Sequence, residues 1–89
     1  MRSIFWTNQF KKDFKRAQKQ AKDIKALKNV ITLLAGGEKL PEKYKDHLLR
    51  GQWTHHRDCH IKSDWVLIYR IDGNSLILER MGSHSELFR

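Results

Sequence analysis

The sequence predicts an α+β domain in which two N-terminal helices pack on one face of a small, mainly antiparallel sheet. Apolar residues recur at helical spacing through the first third of the chain. Three segments rich in aliphatic, β-branched and aromatic residues follow residue 52, and a hairpin sequence, Asp72-Gly73-Asn74, separates the last two. With 89 residues, the chain is expected to form one domain over residues 1–89.

The two predicted helices occupy the first half of the chain. In residues 7–20 apolar side chains mark one face and basic side chains fill the others, with Thr7 or Asn8 as the candidate N-cap. A second helical pattern covers residues 24–34. The Gly36-Gly37 pair that follows is typical of a helix end, where a left-handed residue is needed. We expect these helices to form one layer.

The second half of the chain predicts a three-stranded antiparallel meander. Residues 38–51 contain the single proline and lack periodicity, so we interpret them as a structured loop. The predicted strands are residues 53–61, 65–71 and 75–81, with polar breaks between them. Residues 3–6 could add an edge strand before the first helix.

The excess of positive over negative charge lies entirely in the first half of the chain. Residues 1–50 hold 13 Lys and Arg against 5 Asp and Glu, whereas residues 51–89 hold 5 of each. Such a block attracts a polyanion, so nucleic acid is the leading partner, and an acidic protein or a membrane surface comes next. The alternative is a solvated, lysine-rich helix face that has no partner.

The sequence favours a cytosolic location. It has no run of about 18 apolar residues, and polar residues stand where a signal peptide needs an apolar core. The single cysteine, Cys59, has no partner for an internal disulfide, which fits a reducing compartment. No membrane partner is expected.

Histidines supply the candidate chemistry. Four of the five lie between positions 47 and 60, and His84 follows the last predicted strand. One histidine can remove a proton while another supplies one, which suits RNA cleavage by the ribose 2′-OH without a metal or cofactor. Chance surface histidines are the alternative. A metal site made of His55, His56, Cys59 and His60 is disfavoured, since neighbours in a strand alternate faces.

Several other residues allow two interpretations each. Asp64 either orients His60 across a turn or only stabilises that turn. Trp65 is either a core residue or a platform for an unstacked base. Arg57 and Arg80 interrupt apolar strands, so each binds either a phosphate or a carboxylate of the protein.

A series of motifs in a fixed order resembles the YafQ-type toxins of the RelE superfamily over nearly the whole chain. The motifs are Tyr44-Lys45-Asp46-His47, Gly51-Gln52-Trp53, Arg57-Asp58-Cys59-His60, Asp64-Trp65, Leu67-Ile68-Tyr69, Arg80 and Gly82-Ser83-His84-Ser85-Glu86-Leu87-Phe88. The resemblance implies a RelE-like microbial ribonuclease fold. It also implies a toxin of a bacterial type II toxin–antitoxin system, an endoribonuclease that cleaves mRNA on the ribosome. The partners implied are ribosomal RNA, mRNA and a DinJ-like antitoxin, with operator DNA contacted only through the antitoxin.

The resemblance also implies a site. By motif, the catalytic residues are His47, His60, Asp64 and His84. Substrate contacts are expected from Arg57, Trp65, Arg80 and Phe88. Either His60 or His84 is the general base and the other the general acid; His47 and Asp64 position or tune them, and Arg57 or Arg80 binds phosphate.

Two functions of other classes remain open from the sequence. One is a non-catalytic basic module that binds RNA or DNA and in which the histidines are incidental. The other is a protein-interaction domain whose positive face binds an acidic partner. The binding module predicts that substitution of His84 has no effect, whereas an enzyme loses its activity. Strong salt dependence of RNA binding would count against the protein-interaction domain.

Overall fold

The computed structural model describes residues 1–88 and contains one five-stranded sheet with strand order β1-β5-β4-β3-β2. The strands are β1 (Ser3–Trp6), β2 (His47–Leu48), β3 (Arg57–Lys62), β4 (Trp65–Asp72) and β5 (Ser75–Gly82). The helices are α1 (Asn8–Lys19), α2 (Ile24–Ala35) and a short α3 (His84–Leu87). The α+β class and the two N-terminal helices are confirmed.

The ends of α1 and α2 follow the local signals in the sequence. Thr7 caps α1, since its hydroxyl accepts a hydrogen bond from the backbone N–H of Phe10 at 3.0 Å. Asp23 caps α2 in the same way, through Ala26 N–H at 3.1 Å. After α2, Gly37 adopts φ +76°, a left-handed conformation that a residue with a side chain rarely adopts.

The meander forms as predicted, and β1 adds a strand at its edge. Strands β3, β4 and β5 pair antiparallel, and Gly73 supplies a positive φ of 58° in the turn between the last two. Strand β1 pairs in parallel with β5, from Ser3 opposite Ser75 to Trp6 opposite Leu78. The sheet is therefore mainly antiparallel with one parallel pair.

Two local predictions were wrong, and one helix was not predicted. Residues 38–51 are not only loop, because they contain the two-residue strand β2, which pairs with β3. Strand β3 begins at Arg57 rather than at residue 53, because a 3₁₀ turn occupies Gly51–Trp53. Helix α3 was not predicted, since four residues are too few to show a periodicity.

The sheet separates two apolar clusters of different size. The larger cluster lies between the sheet and the first two helices, and includes Phe10, Leu27, Val30, Leu67 and Leu78. The smaller one consists of Val66, Ile68 and Leu87, with Leu49, Trp53 and Phe88 packed against it. Because strand side chains alternate, Val66 and Ile68 face away from the helices, and α3 covers that second face.

Beyond the end of β1, side chains of α1 form hydrogen bonds with backbone groups at the edge of β5. Asp13 is 2% exposed, and its Oδ2 accepts a hydrogen bond from Met81 N–H at 2.9 Å. Arg16 donates to the Met81 carbonyl at 3.3 Å. These two side chains take the place of a neighbouring strand, because buried backbone groups need partners. Within residues 1–88, no helix is long and apolar enough to cross a membrane.

Candidate active site

Strand β3 places two acid–base side chains on the face of the sheet that lies away from α1 and α2. Cys59 and Ile61 belong to the larger core, so Asp58 and His60 point to the opposite face. His60 is partly buried and Asp58 is 2% exposed. In the register of β3 with β4, these residues stand opposite Ile68 and Val66 of the smaller core.

Strand β2 brings His47 beside Asp58. The two residues are register partners, and Nδ1 of His47 lies 2.9 Å from Oδ1 of Asp58. The same nitrogen donates a hydrogen bond to the Lys45 carbonyl, also at 2.9 Å. That bond has the better geometry, so the contact with Asp58 is electrostatic and Asp58 Oδ1 has no directed hydrogen bond. Burial raises the pKa of Asp58, while His47, His60 and His84 oppose that shift.

The turn before β4 and the start of α3 bring Asp64 and His84 together. Asp64 Oδ1 accepts hydrogen bonds from His84 Nδ1 at 2.8 Å and from His84 N–H at 3.1 Å. These bonds hold the pKa of Asp64 below its usual value. With Nδ1 engaged, Nε2 is the ring nitrogen of His84 that is left for proton transfer.

A capping box fixes the short helix that carries His84. The Ser83 hydroxyl accepts from Glu86 N–H at 3.2 Å, and Glu86 Oε1 accepts from Ser83 N–H at 2.8 Å. Arg16 of α1 pairs with the same Glu86 carboxylate at 3.5 Å. A Cβ at Gly82 would approach Glu86 Oε1 to 3.0 Å and Arg16 Nη2 to 3.2 Å, so a larger residue here would displace the ends of these two side chains.

The rings of His60, His84 and Phe88 lie next to one another. The centroids of His60 and His84 are 5.0 Å apart with an interplanar angle of 64°, and Phe88 lies 5.9 Å from His84. Burial and then the nearby His84 lower the pKa of His60, although Asp58 opposes the shift. The histidine cluster, defined as His47, His60 and His84 with Asp58 and Asp64, therefore combines a neutral imidazole with one bound to a carboxylate.

The structure corrects two of the expected substrate contacts. Trp65 is 3% exposed and belongs to the larger core, so no face of its ring is open to a base. Arg57 precedes Asp58 and therefore lies on the other face of the sheet, where its Nε donates to Asp46 Oδ1 at 3.3 Å. Trp65 is therefore a core residue, and Arg57 pairs with a carboxylate of the protein.

Arg80 also pairs with a carboxylate, but from the side of the sheet that carries the histidines. It is the register partner of Ile68, and its Nε and Nη2 donate to Asp13 at 2.9 and 3.4 Å. Its side chain keeps 24% exposure. Of the two arginines expected to contact the substrate, Arg80 is thus the one whose position in its strand lies on the same face of the sheet as the cluster.

The remaining two histidines lie outside the cluster. His55 is exposed, with a positive φ of 72°. His56 is tied to Glu79 by a contact of 3.0 Å between Nε2 and Oε2. Among residues 1–88, no three His, Cys, Asp or Glu side chains are placed to hold a metal ion together.

Sequence reasoning missed Asp58 as a member of the cluster. The signal was available, because Asp58 and His60 are two positions apart in a predicted strand and must share a face. Its burial could not be seen without knowing that β2 and α3 cover that face. Asp58 is the acidic group whose pKa is influenced by all three clustered histidines.

Comparison with known proteins gives one family for the whole chain. Residues 2–89 match the family model described as "Bacterial toxin of type II toxin-antitoxin system, YafQ". The mRNA interferase toxin YafQ of Escherichia coli K12 is 46% identical over 88 residues, covering 98% of this chain and 96% of that protein.

Two solved structures are similar to this chain over nearly its full length. In the E. coli DinJ–YafQ complex, the matching chain superposes with a TM-score of 0.92 at 44% identity, with complete coverage of both chains. A metal-bound toxin from Helicobacter pylori gives a TM-score of 0.93 at 44% identity, covering 99% of this chain and 100% of that one.

Proposed function

Since this chain belongs to the YafQ family of bacterial type II toxins, we propose that it is an endoribonuclease that cleaves mRNA on the ribosome. The observation that carries the proposal is the pair His60 and His84, whose rings lie 5.0 Å apart within a cluster of five titratable groups. Two imidazoles at this spacing can serve the attacking and the leaving oxygen of one phosphodiester.

The two histidines differ in a way that assigns their roles. His60 has a lowered pKa, so at neutral pH it is free to accept a proton and suits the general base. Asp64 holds Nδ1 of His84 at 2.8 Å, which fixes the ring and leaves Nε2 to give a proton, so His84 suits the general acid. His47 and Asp58 tune His60 through their charges.

The proposed reaction is a metal-independent transphosphorylation. His60 takes the proton of the ribose 2′-OH while the 2′ oxygen attacks the adjacent phosphorus. The bond from phosphorus to the 5′ oxygen breaks, and His84 gives that oxygen its proton. The products are a 2′,3′-cyclic phosphate and a 5′-hydroxyl end. The Arg80 guanidinium adds positive potential for the developing phosphorane charge, and Phe88 offers an apolar surface to a base.

The partners follow from the family and from the charge of the chain. The E. coli relative forms a DinJ–YafQ complex, so we propose a DinJ-like antitoxin as the inhibitor of this chain. Ribosomal RNA and mRNA are the proposed targets, because the net charge is +8 and its excess lies in residues 1–50. Cleavage on the ribosome places the reaction in the bacterial cytoplasm.

Mapping mRNA 5′ ends after brief induction in bacteria tests this function. The wild-type chain is compared with His84→Ala and with the matched control His55→Ala, with translation active and with translation blocked. We expect new 5′-hydroxyl ends that need both translation and His84 and are retained in the control. If folded protein yields no cuts in any condition, the proposed function fails and a non-catalytic binding module is favoured.

A further inference from the structure

A basic groove opens beside the histidine cluster, between the start of α2, the 3₁₀ turn at Glu42–Tyr44 and the end of β3. It has a volume of about 600 Å³, which falls within the ~300–1,000 Å³ of ligand sites. We name it the lysine groove after the four lysines that line it: Lys25, Lys43, Lys45 and Lys62. Other residues in its wall are Asp23, Asn29, Tyr44 and His60.

Positive charge dominates this groove. Asp23 is the acidic side chain in its wall, and it is already engaged with Lys62 at 3.5 Å and with the α2 backbone. Lys25, Lys43 and Lys45 are exposed, so their ammonium groups are available to a ligand. A surface of this kind attracts phosphates, whose counterions are released on binding.

An aromatic ring lies among the lysines. Tyr44 is partly buried against the larger core, which fixes it in place, and Lys43 Nζ lies over its ring at 5.1 Å from the centre, so a stacked base would take the place of the Lys43 ammonium group there. A cationic groove with an aromatic platform is the combination by which proteins bind single-stranded nucleic acid, because the lysines follow the backbone and the ring stacks a base.

The groove is continuous with the histidine cluster through two residues. His60 belongs both to the cluster and to the wall of the groove. Lys45 also lines the groove, and its carbonyl accepts a hydrogen bond from His47 Nδ1 at 2.9 Å. The positive charge of Lys45 also contributes to the lowered pKa of His60. An RNA strand that is cleaved at His60 must pass over the surface beside the cluster, and the groove begins at that surface.

We propose that the lysine groove binds the single-stranded RNA that flanks the scissile bond, with Lys25, Lys43 and Lys45 on phosphates and Tyr44 against a base. The position of the scissile bond rests on the proposed function. The binding itself does not, because charge and shape alone recognise the strand.

Salt-dependent binding of an uncleavable RNA tests the groove separately from catalysis. The probe is a short, fluorescent RNA oligonucleotide methylated at every 2′ oxygen, titrated between about 50 and 200 mM salt. One variant carries Lys25→Gln, Lys43→Gln and Lys45→Gln. The matched control carries Lys11→Gln, Lys12→Gln and Lys15→Gln, which removes the same charge from exposed positions on α1.

The groove variant should lose about 2 from the slope of log affinity against log salt, or ~0.7 for each of three phosphates. The α1 control should lose less of the slope than the groove variant does. Equal losses in both variants, no loss in the groove variant, or no binding by the wild-type chain overturn the proposal. So does an unchanged slope combined with weaker antitoxin binding, which assigns the groove to an acidic protein segment.

Tyr44 provides a second measurement that leaves the charge unchanged. Tyr44→Phe should bind the oligonucleotide as the wild type does, while Tyr44→Leu should weaken binding roughly 5- to 100-fold. Equal affinities for the two variants contradict stacking. If the groove binds RNA as described while the wild-type chain cuts no mRNA, the proposed function fails and the groove stands.

Discussion

One carboxylate oxygen of Asp64 contacts His84 twice, at 2.8 Å from Nδ1 and at 3.1 Å from the backbone N–H. Two bonds to one oxygen fix both the ring and the start of α3 relative to the turn before β4. Both side chains are solvent-exposed, at 48% for His84 and 66% for Asp64. The contact therefore contributes orientation more than stability.

Replacing Asp64 tests this orientation. Asp64→Asn weakens the contact that orients the His84 ring, so mRNA cleavage should slow by roughly 10- to 100-fold, as when a partner orienting a functional histidine is lost. The rate on programmed ribosomes and the urea unfolding curve are measured together, and the latter should not change. Asp72→Asn, exposed and distant from the cluster, is the control. A wild-type rate for Asp64→Asn contradicts the assignment.

With His60 as the proposed base, its lowered pKa should set the pH dependence of cleavage. A base must be neutral, and ordinary histidine becomes protonated below about pH 6.5. Because burial and His84 lower the pKa of His60, its protonation requires a more acidic solution. The acid limb of the single-turnover rate should thus be centred below about pH 6.5, with cleavage slowing as His60 becomes protonated. A rate that is constant between about pH 5 and 8, or an acid limb centred above pH 6.5, excludes His60 as the base.

The same shift links His60 to stability. Between its ordinary pKa and its lowered one, the unfolded chain binds a proton that the folded chain does not. Acidification through this window therefore favours unfolding, and the stability is fully present above about pH 6.5. His60→Gln should lessen the loss of stability in mild acid, as measured by urea unfolding at several pH values. An identical pH dependence for the variant contradicts this link.

Asp13 should be among the most costly polar residues to remove. Its buried carboxylate accepts bonds from Met81 N–H, Arg80 and Arg16. Asp13→Ala leaves a buried N–H and a guanidinium without partners and should reduce the free energy of unfolding by about 2 to 4 kcal/mol, since Arg80 stays partly solvated. The matched control is Asp72→Asn, which breaks an exposed pair with Arg70 and should cost less than about 1 kcal/mol. Similar costs for the two contradict the bridging role.

Cys59 should be inert in the folded protein. It is 0% exposed, and burial raises the pKa of its thiol, so the reactive thiolate is not populated near neutral pH. Labelling with a thiol reagent should need denaturant or proceed at the rate of unfolding. Rapid labelling of native protein contradicts the packing of β3 against the helices.

Much of the fold was predictable because its signals are local. The spacing of apolar residues, the caps at Thr7 and Asp23, and the Asp72-Gly73-Asn74 turn each act within a few residues. The parallel pairing of β1 with β5 joins positions about 70 residues apart, and no local pattern specifies it. The local signal for helix α3 is weak: it consists of the Ser83 and Glu86 capping box, which lies within one of the family motifs.

The site was less predictable because it depends on which face each side chain occupies. Family motifs pointed to His47, His60, Asp64 and His84, and the structure brings them together with Asp58. Motifs could not show that Trp65 is buried or that Arg57 lies on the other face of the sheet. The lysine groove combines residues of α2, a loop and β3, so it exists only after folding.

The pairing of β1 with β5 also determines when the sheet can be completed during synthesis of the chain. During synthesis β1 and the basic helices emerge first, but β1 has no neighbour until residues 75–78 have been made. Pairing between such distant segments is slow, because a long loop must close before any contact is gained. His84 comes later still. A growing chain therefore carries the positive charge before it has a histidine cluster.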